Sequence, residues 1–135
     1  MERFKINEKD AKKIIKKLNF SKLNGLIAVI AQDIKTNEVL MSAFANEEAI
    51  KLTLTTGYAH YWSRSRNTLW KKGETSGHLQ IVKEVYIDCD QDAILLKIEQ
   101  VTAACHTGYF SCFHNKVIDS TVEIIGKKVF EPKKA

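Results

Sequence analysis

Two short apolar runs joined by a turn do most to limit the fold that this sequence can adopt. Residues 26–31 are typical of a buried strand, and residues 38–44 follow the turn-forming residues 33–37, as expected of a β-hairpin. Residues 80–88 and 93–101 have a β-branched, strand-like composition on either side of a polar break. Because hairpins belong to antiparallel sheets, we predict a largely antiparallel sheet.

Two helices are expected to flank this sheet. Asn7 can cap the first one. The apolar side chains of that helix recur at helical spacing: Ala11, Ile14, Ile15 and Leu18. Asn46 can cap a second helix, which Gly57 is placed to end. With minor elements expected at 121–125 and 129–130, the predicted class is α+β in a single domain over residues 1–135.

The charge distribution argues against nucleic acid as a partner. The net charge is +5, but residues 1–23 carry +5 and residues 127–135 carry +3, whereas residues 24–126 carry −3. Lysines on a solvated helix face and on a polar tail explain this excess. No apolar run approaches the ~20 residues of a membrane span, and the charged N-terminus lacks an apolar signal region. We therefore expect a cytoplasmic protein with no membrane partner.

Three carboxylates alternate along the run Asp88-Cys89-Asp90-Gln91-Asp92. Carboxylate oxygens are hard ligands that suit Mg²⁺. An extended backbone here would place the three aspartates on one face of a strand and Cys89 on the other. Like charges this close repel one another unless a cation binds them, which favours a metal site. The alternative is a solvated acidic turn between two strands.

The three cysteines are Cys89, Cys105 and Cys112, the number that an open catalytic zinc site needs. Their spacing does not match a zinc finger, and a disulfide framework is not expected in a reducing compartment. Three buried, inert thiols are the alternative, because free cysteine is among the most buried residue types. His106 follows Cys105 and is a candidate for moving protons near a metal-bound water.

Residues 58–78 are dense in aromatic, cationic, hydroxyl and glycine residues and show neither helical nor strand periodicity. The cationic and aromatic members of interest are Arg64, Arg66, Lys71, Lys72, Trp62 and Trp70. Such cations match phosphate groups, and aromatic rings can stack on a base. Single-stranded RNA binding uses the same residue types. A basic hairpin with both tryptophans in the core is the third possibility.

Several short blocks stand out from the rest of the chain. They are Tyr61-Trp62-Ser63-Arg64-Ser65-Arg66, Leu69-Trp70, Lys72-Gly73-Glu74-Thr75-Ser76-Gly77-His78, Asp88-Cys89-Asp90-Gln91-Asp92, Glu99-Gln100, Ala104-Cys105-His106-Thr107-Gly108 and Ser111-Cys112-Phe113. Together they closely resemble the phosphoribosyl-AMP cyclohydrolase family of histidine biosynthesis. Independent blocks in one order are far more specific than a single motif. The similarity runs from about residue 26 to residue 113.

The resemblance implies two metal sites and an intertwined homodimer with shared active sites. The implied ligands are Asp88, Asp90 and Asp92 for Mg²⁺, and Cys89, Cys105 and Cys112 for Zn²⁺. One subunit is expected to contribute Cys89 to a zinc site and its partner the other two thiols. Bacterial members often carry a fused pyrophosphohydrolase domain, and the 22 residues after Phe113 are too few for one. The resemblance therefore implies the single-activity form.

The reaction that the resemblance implies is the hydrolytic opening of a purine ring. The N1–C6 bond of 1-(5-phosphoribosyl)-AMP would be cleaved by a zinc-bound hydroxide, with His106 transferring protons. The product would be the phosphoribosyl-formimino-AICAR nucleotide, the third step of histidine biosynthesis. The expected substrate-binding residues are Trp62, Arg64, Ser65, Arg66, Lys72, Glu74, Thr75, Ser76, Gly77 and His78.

Two other classes of function are less well supported by the sequence. A different zinc hydrolase or a nucleotide deaminase is one, but deaminases need a His-x-Glu motif and a close Cys-x-x-Cys pair, and both are absent. A zinc-stabilised RNA-binding module without catalysis is the other. Its weakness is the acidic balance of residues 24–126, because RNA binding depends on positive charge.

Overall fold

A computed structural model describes residues 3–132 of the chain. Within this range the chain forms two helices and eight strands. The helices are α1 (Glu8–Ile15) and α2 (Glu47–Thr56), and the strands are β1 (Ile27–Asp33), β2 (Val39–Ala45), β3 (His60–Ser63), β4 (Thr68–Lys71), β5 (Gln80–Ile87), β6 (Ala93–Gln100), β7 (Asn115–Ile118) and β8 (Thr121–Ile124).

Strands β1 to β6 form one mixed sheet in the order β4-β3-β2-β1-β6-β5. Four of its neighbouring pairs are antiparallel, and the pair β1 and β6 is parallel, with Ala28 opposite Ala93. The prediction of an α+β fold with a largely antiparallel sheet is therefore confirmed. The parallel pair follows from strand order, which depends on contacts between segments distant in the sequence.

Both predicted helix caps are present. Asn7 Oδ1 accepts a hydrogen bond from the Asp10 amide at 2.8 Å, and Asn46 Oδ1 accepts one from the Ala49 amide at 2.9 Å. Gly57 ends α2 in the left-handed conformation, with φ at 78°, and a Cβ there would lie 2.5 Å from the Phe4 carbonyl oxygen. Local side-chain chemistry thus determines where the helices begin and where α2 ends.

The hydrophobic core is built from alternate side chains of the central strands together with α2. Ile27 and Val29 of β1, Leu54 of α2 and Ile98 of β6 are all essentially inaccessible to solvent. Among these apolar side chains lies Tyr61 of β3, whose hydroxyl donates to the side-chain oxygen of a buried glutamine from β5. The core thus anchors the strands whose ends and loops carry the polar residues of interest.

Part of residues 58–78 forms a regular hairpin, which was one of the three possibilities left open for this segment. Strands β3 and β4 pair antiparallel, with Tyr61 opposite Trp70. Each strand has only four residues, which is too short for a periodicity to be recognised. Tyr61 is in the core, while the two tryptophans, Trp62 and Trp70, are only partly buried.

The C-terminal part of the described chain forms a separate hairpin of β7 and β8. Strand β8 confirms the element expected at 121–125, whereas β7 lies in residues for which no strand was predicted. The minor element expected at 129–130 is neither a helix nor a strand in the structure. Instead, the amides of Val129 and Phe130 donate to the Gly108 carbonyl, which ties this segment to the loop that carries Cys105.

Candidate functional site

An open cleft of about 870 Å³ lies beside the β3–β4 hairpin. It brings together many of the residues predicted from the sequence: Trp62, Arg64, Ser65, Arg66, Lys72, Glu74, Thr75, Ser76 and His106. Its other lining residues come from β2, β3, β4 and the loop after β4: Ser42, Ala43, Phe44, Ser63, Thr68, Trp70, Lys71 and Gly73. Cationic, hydroxyl and aromatic groups therefore face one shared space.

Gly77 and His78 are the two predicted substrate-binding residues that do not line this cleft. The His78 ring packs edge-on against Phe130, with ring centroids 5.0 Å apart, and its amide donates to Ser76 Oγ. The Gly77 amide donates to the Gly73 carbonyl at 2.8 Å. Both residues thus close the turn whose outer side chains reach the cleft.

Gly73 is required by the geometry of the same turn. Its φ is +81°, and a Cβ at this position would lie 2.5 Å from the carbonyl carbon of His78. Any larger residue would displace the backbone of the loop. The glycine therefore fixes the position of the residues between β4 and β5.

Phe44 is a cleft residue that the sequence analysis missed. It lies opposite Trp62 in the pairing of β2 with β3, and the guanidinium of Arg64 lies 4.2 Å from the centre of its ring. The alternation of side chains along β2 could have indicated its position, because Ser42 and Phe44 share one face of that strand. The sequence analysis placed residue 44 at the end of a predicted strand and gave it no role in the site.

Cys105 and Cys112 form a pair of neighbouring thiols at one side of the site. Cys105 Sγ lies 2.9 Å from Thr107 Oγ1. Burial alone would raise the pKa of Cys105, but the hydrogen bonds of Thr107 and Cys112 and the charge of Lys72 outweigh it and lower that pKa. Although Cys112 as a residue is exposed, desolvation of its sulfur raises its pKa to about 11, with Cys105 adding to the shift.

The backbone holds both thiols in place. The Cys112 amide donates to the Leu40 carbonyl of β2 at 2.7 Å, and the Cys105 amide donates to the Tyr109 carbonyl at 3.2 Å. Gly108 allows the chain to pass close by, since a Cβ there would lie 2.0 Å from the Phe130 carbonyl oxygen. The thiol pair is therefore part of a tightly connected loop.

Lys72 joins the cleft to the thiol pair. Its side chain is half-buried, and its Nζ donates to the Ala104 carbonyl at 2.6 Å, directly before Cys105. Burial lowers the pKa of Lys72, while the charges of Cys112 and Cys105 oppose that shift. The ammonium group thus lies within the electrostatic reach of both thiols.

The acidic run is not extended but forms a turn between two strands, which was the alternative considered for its backbone. Residues 88–92 form the turn between β5 and β6, and Gln91 adopts a left-handed φ of 66°. Asp88 Oδ1 accepts hydrogen bonds from the amides of Asp92 and Ala93. The turn still brings the carboxylate oxygens of Asp88, Asp90 and Asp92 within 4.8 Å of one another. This acidic triad can hold a metal ion.

Lys22 supplies a positive charge at the acidic triad. Its Nζ lies 2.8 Å from Asp90 Oδ2 and 3.2 Å from Asp92 Oδ2. The hydrogen bond from Lys22 lowers the pKa of Asp90 to about 2, and the hydrogen bond with Asp90 raises the pKa of Asp92. The pKa values of the two carboxyl groups are therefore shifted in opposite directions.

Cys89 is exposed on the acidic turn, and it does not join the other two thiols. Among residues 3–132, the acidic triad is the one group of three or more histidine, cysteine or acidic side chains whose ligand atoms converge. A single chain therefore brings together two of the three cysteines predicted to bind zinc.

An open cleft with cationic, hydroxyl and histidine side chains beside two thiols is the composition of an enzyme site for a small anionic substrate. Comparison with known proteins agrees. A family model for phosphoribosyl-AMP cyclohydrolase matches residues 41–114. The chain therefore belongs to the phosphoribosyl-AMP cyclohydrolase family, and it is a hydrolase of histidine biosynthesis.

Curated relatives extend this match over most of the chain. The phosphoribosyl-AMP cyclohydrolase of Methanosarcina acetivorans is 60% identical over 110 residues, which are 82% of this chain and 89% of the relative. That of Archaeoglobus fulgidus is 67% identical over 93 residues, or 69% and 86% of the two chains. A histidine biosynthesis bifunctional protein of Thermoanaerobacter pseudethanolicus is 53% identical over 90% of this chain and 56% of its own length.

In the part of the chain that the structure describes, no helix is long and apolar enough to cross a membrane.

Proposed function

We propose that this chain hydrolyses the N1–C6 bond in the purine ring of 1-(5-phosphoribosyl)-AMP and releases the phosphoribosyl-formimino-AICAR nucleotide, the third step of histidine biosynthesis. One observation carries the proposal. His106, which directly follows the thiol residue Cys105, lines the same cleft as Arg64 and Arg66. A proton-transfer group and two phosphate-binding groups therefore face one space, and a thiol suited to a metal is next to His106 in the chain.

The cleft suits a nucleotide with two phosphorylated riboses. Its volume of about 870 Å³ is adequate for such a small molecule, and Arg64 and Arg66 bind the phosphates through their guanidinium groups. The purine stacks on the aromatic surface of Trp62 and Phe44. The hydroxyl and acidic contacts come from Ser65, Glu74, Thr75 and Ser76, with Lys72 as a further cation. Gly77 and His78 act by holding the turn after β4.

Two metals complete the proposal, and the residues present fit both. The acidic triad holds Mg²⁺, since three hard oxygen donors already converge there. Cys105 and Cys112 hold Zn²⁺ together with Cys89, because thiolates are the ligands that zinc prefers. Zinc, when bound, lowers the pKa of a coordinated water and so makes a nucleophile accessible at neutral pH.

The third zinc ligand comes from a second copy of the chain. Cys89 lies exposed on the acidic turn, and Cys112 is also exposed, so two copies can bring these thiols together. An intertwined homodimer with shared active sites follows, as closed two-fold symmetry is the commonest arrangement of oligomers. The cytoplasm as its compartment and a single domain over residues 1–135 complete the proposal.

His106 moves the protons of the reaction. Its exposed side chain accepts a proton from the water whose oxygen attacks C6. As the N1–C6 bond breaks, C6 becomes a carboxamide carbon and N1 takes up the proton that His106 returns. For the neutral 6-imino form of the substrate, the water oxygen thus ends on C6, one of its hydrogens on N1 and the other on the exocyclic nitrogen, which becomes the carboxamide NH₂. Arg64 and Arg66 hold the two ends of the substrate while this occurs.

Turnover of 1-(5-phosphoribosyl)-AMP by the purified protein tests the proposal. Loss of the substrate is followed by absorbance, and the product is identified by mass, before chelation, after chelation and after zinc is restored. Product with one added water, abolished by the chelator and recovered with zinc, supports both the reaction and the metal. Absence of turnover in folded protein that contains zinc would contradict it.

A further inference from the structure

Lys72 is held in an unusual position between the cleft and the thiol pair. It directly follows β4, and its amide donates at 3.0 Å to the carbonyl of Ala59, a residue with no exposed surface. Its side-chain ammonium then donates at 2.6 Å to the Ala104 carbonyl. The backbone and the side-chain tip of Lys72 are therefore both hydrogen-bonded, and its ammonium group lies next to the loop that carries Cys105.

The charge of Lys72 is not balanced by a carboxylate. Among residues 3–132, no acidic oxygen lies within 4.0 Å of its Nζ, whereas Lys22 and Lys51 each have two such partners. The ammonium lies beside a neutral carbonyl and 5.8 Å from the centre of the Trp70 ring, and neither group carries a full negative charge. A half-buried cation costs free energy, and an anion nearby offsets that cost. The groups near Lys72 that can become anions are Cys105, which directly follows the Ala104 carbonyl that Lys72 binds at 2.6 Å, and the neighbouring thiol of Cys112.

Resting on the proposed function, we propose that Lys72 is a positioning residue for the metal site: its ammonium balances the negative charge of the thiolates of Cys105 and Cys112. Neutral thiols would leave Lys72 without a counter-ion, but metal-bound thiolates provide one. A zinc ion with three thiolates carries a net negative charge, and one ammonium group neutralises it. The hydrogen bond to Ala104 fixes the loop at the same time, so that both effects favour metal binding.

The affinity of the purified dimer for Zn²⁺, measured by competition with a chromophoric chelator, tests this role without any assay of turnover. Lys72→Met removes the charge and keeps the length of the side chain, and it is expected to weaken zinc binding about 10- to 100-fold. Lys72→Arg retains the charge and is expected to stay within a few fold of the wild type. Lys97→Met is the matched control, because the Lys97 ammonium donates to Asn37 Oδ1 at the surface and, within residues 3–132, has no acidic partner within 4.0 Å.

The spectrum of the Co²⁺-loaded protein gives a second readout. The thiolate-to-metal absorption of Lys72→Met is expected to be weaker at a fixed Co²⁺ concentration and to recover at higher concentrations. Circular dichroism confirms that each variant is folded. If Lys72→Met does not fold, Lys72→Gln replaces it in the comparison with Lys72→Arg. Weaker zinc binding in Lys72→Gln but not in Lys72→Arg then supports the role.

Equal zinc affinities in wild type and in a folded, uncharged variant would overturn this role and leave the proposed function intact. Failure of the wild type to bind zinc at all would overturn the metal assignment and this inference together. The two failures are distinguishable because the first is measured between variants and the second on the wild type.

Discussion

Gln80 and Gln100 are bonded to each other across β5 and β6: the Gln80 side-chain amide donates to Gln100 Oε1 at 3.0 Å inside the core. The Gln100 amide donates in turn to the Ala103 carbonyl at 3.2 Å, two residues before Cys105. The hydroxyl of Tyr61 donates to the other end of Gln80. A buried network of hydrogen bonds thus runs from the core to the loop that carries Cys105.

Replacement of Gln100 is expected to destabilise the protein because it breaks this hydrogen-bond network. Gln100→Leu removes the hydrogen bonds to the Gln80 amide and to the Ala103 carbonyl and leaves the Gln80 amide with the weak Met41 sulfur acceptor, at a cost of about 1–3 kcal/mol. Urea denaturation measures the loss of unfolding free energy. Gln32→Leu is the control, since Gln32 makes an exposed hydrogen bond to Asn37, and a change within about 0.5 kcal/mol is expected there. Equal losses of unfolding free energy in the two variants would contradict the stabilising role of the hydrogen-bond network.

Removal of Lys22 is expected to strengthen Mg²⁺ binding. The ammonium of Lys22 competes with a cation for Asp90 and Asp92, and the contact is exposed. Lys22→Met should therefore raise the Mg²⁺ affinity about two- to fivefold, the range of an exposed ion pair. Isothermal titration of the protein measures it, with Lys16→Met as a control for the loss of one lysine. Weaker binding in Lys22→Met would show that the cation does not bind at this triad.

The carboxyl groups of the triad are expected to titrate separately in the metal-free protein. Carbon-13 NMR should give Asp90 a pKa of about 2 and Asp92 a pKa above its ordinary value. Because the folded pKa of Asp90 is depressed, its contribution to stability is present above the ordinary aspartate value and is lost as the pH falls toward 2. Lys22→Met should raise the pKa of Asp90, and an unchanged value would be evidence against the Lys22 contact.

Substitution of His106 is expected to reduce turnover while zinc remains bound. General acid and base catalysis contributes about 10²- to 10⁴-fold, so His106→Ala should lower kcat by a factor in this range. Metal analysis of the same samples serves as the control for the zinc site. His106→Asn provides a second, polar replacement with the same expected loss. Near-normal kcat in either zinc-loaded variant would show that His106 does not transfer the protons of the reaction.

Features that depend on neighbouring residues could be predicted from the sequence. The caps Asn7 and Asn46 and the stop at Gly57 involve hydrogen bonds within one turn of a helix. The hairpin of β1 and β2 likewise joins adjacent segments. The parallel pairing of β1 with β6 could not be predicted, because it depends on which distant strand buries the same face.

The candidate site was predicted in the same uneven way. Residue type and spacing favoured a metal site at Asp88, Asp90 and Asp92 over a solvated acidic turn, and their carboxylates converge although the backbone turns instead of extending. The cleft role of Phe44 was missed because an apolar residue in a strand is usually core. The position of Lys72 beside the thiol pair could not be seen, since 32 residues separate it from Ala104.

Complementation between two inactive variants tests the central claim that a second copy completes the site. Cys89→Ser and Cys105→Ser should each lose zinc and turnover when purified alone. In a heterodimer of the two, one of the two sites contains every native thiol, so the co-expressed variants should recover roughly a quarter of the wild-type activity by random pairing. Zinc content should recover in the same proportion. No recovery in heterodimers that are shown to form would contradict the shared site and the mechanism built on it.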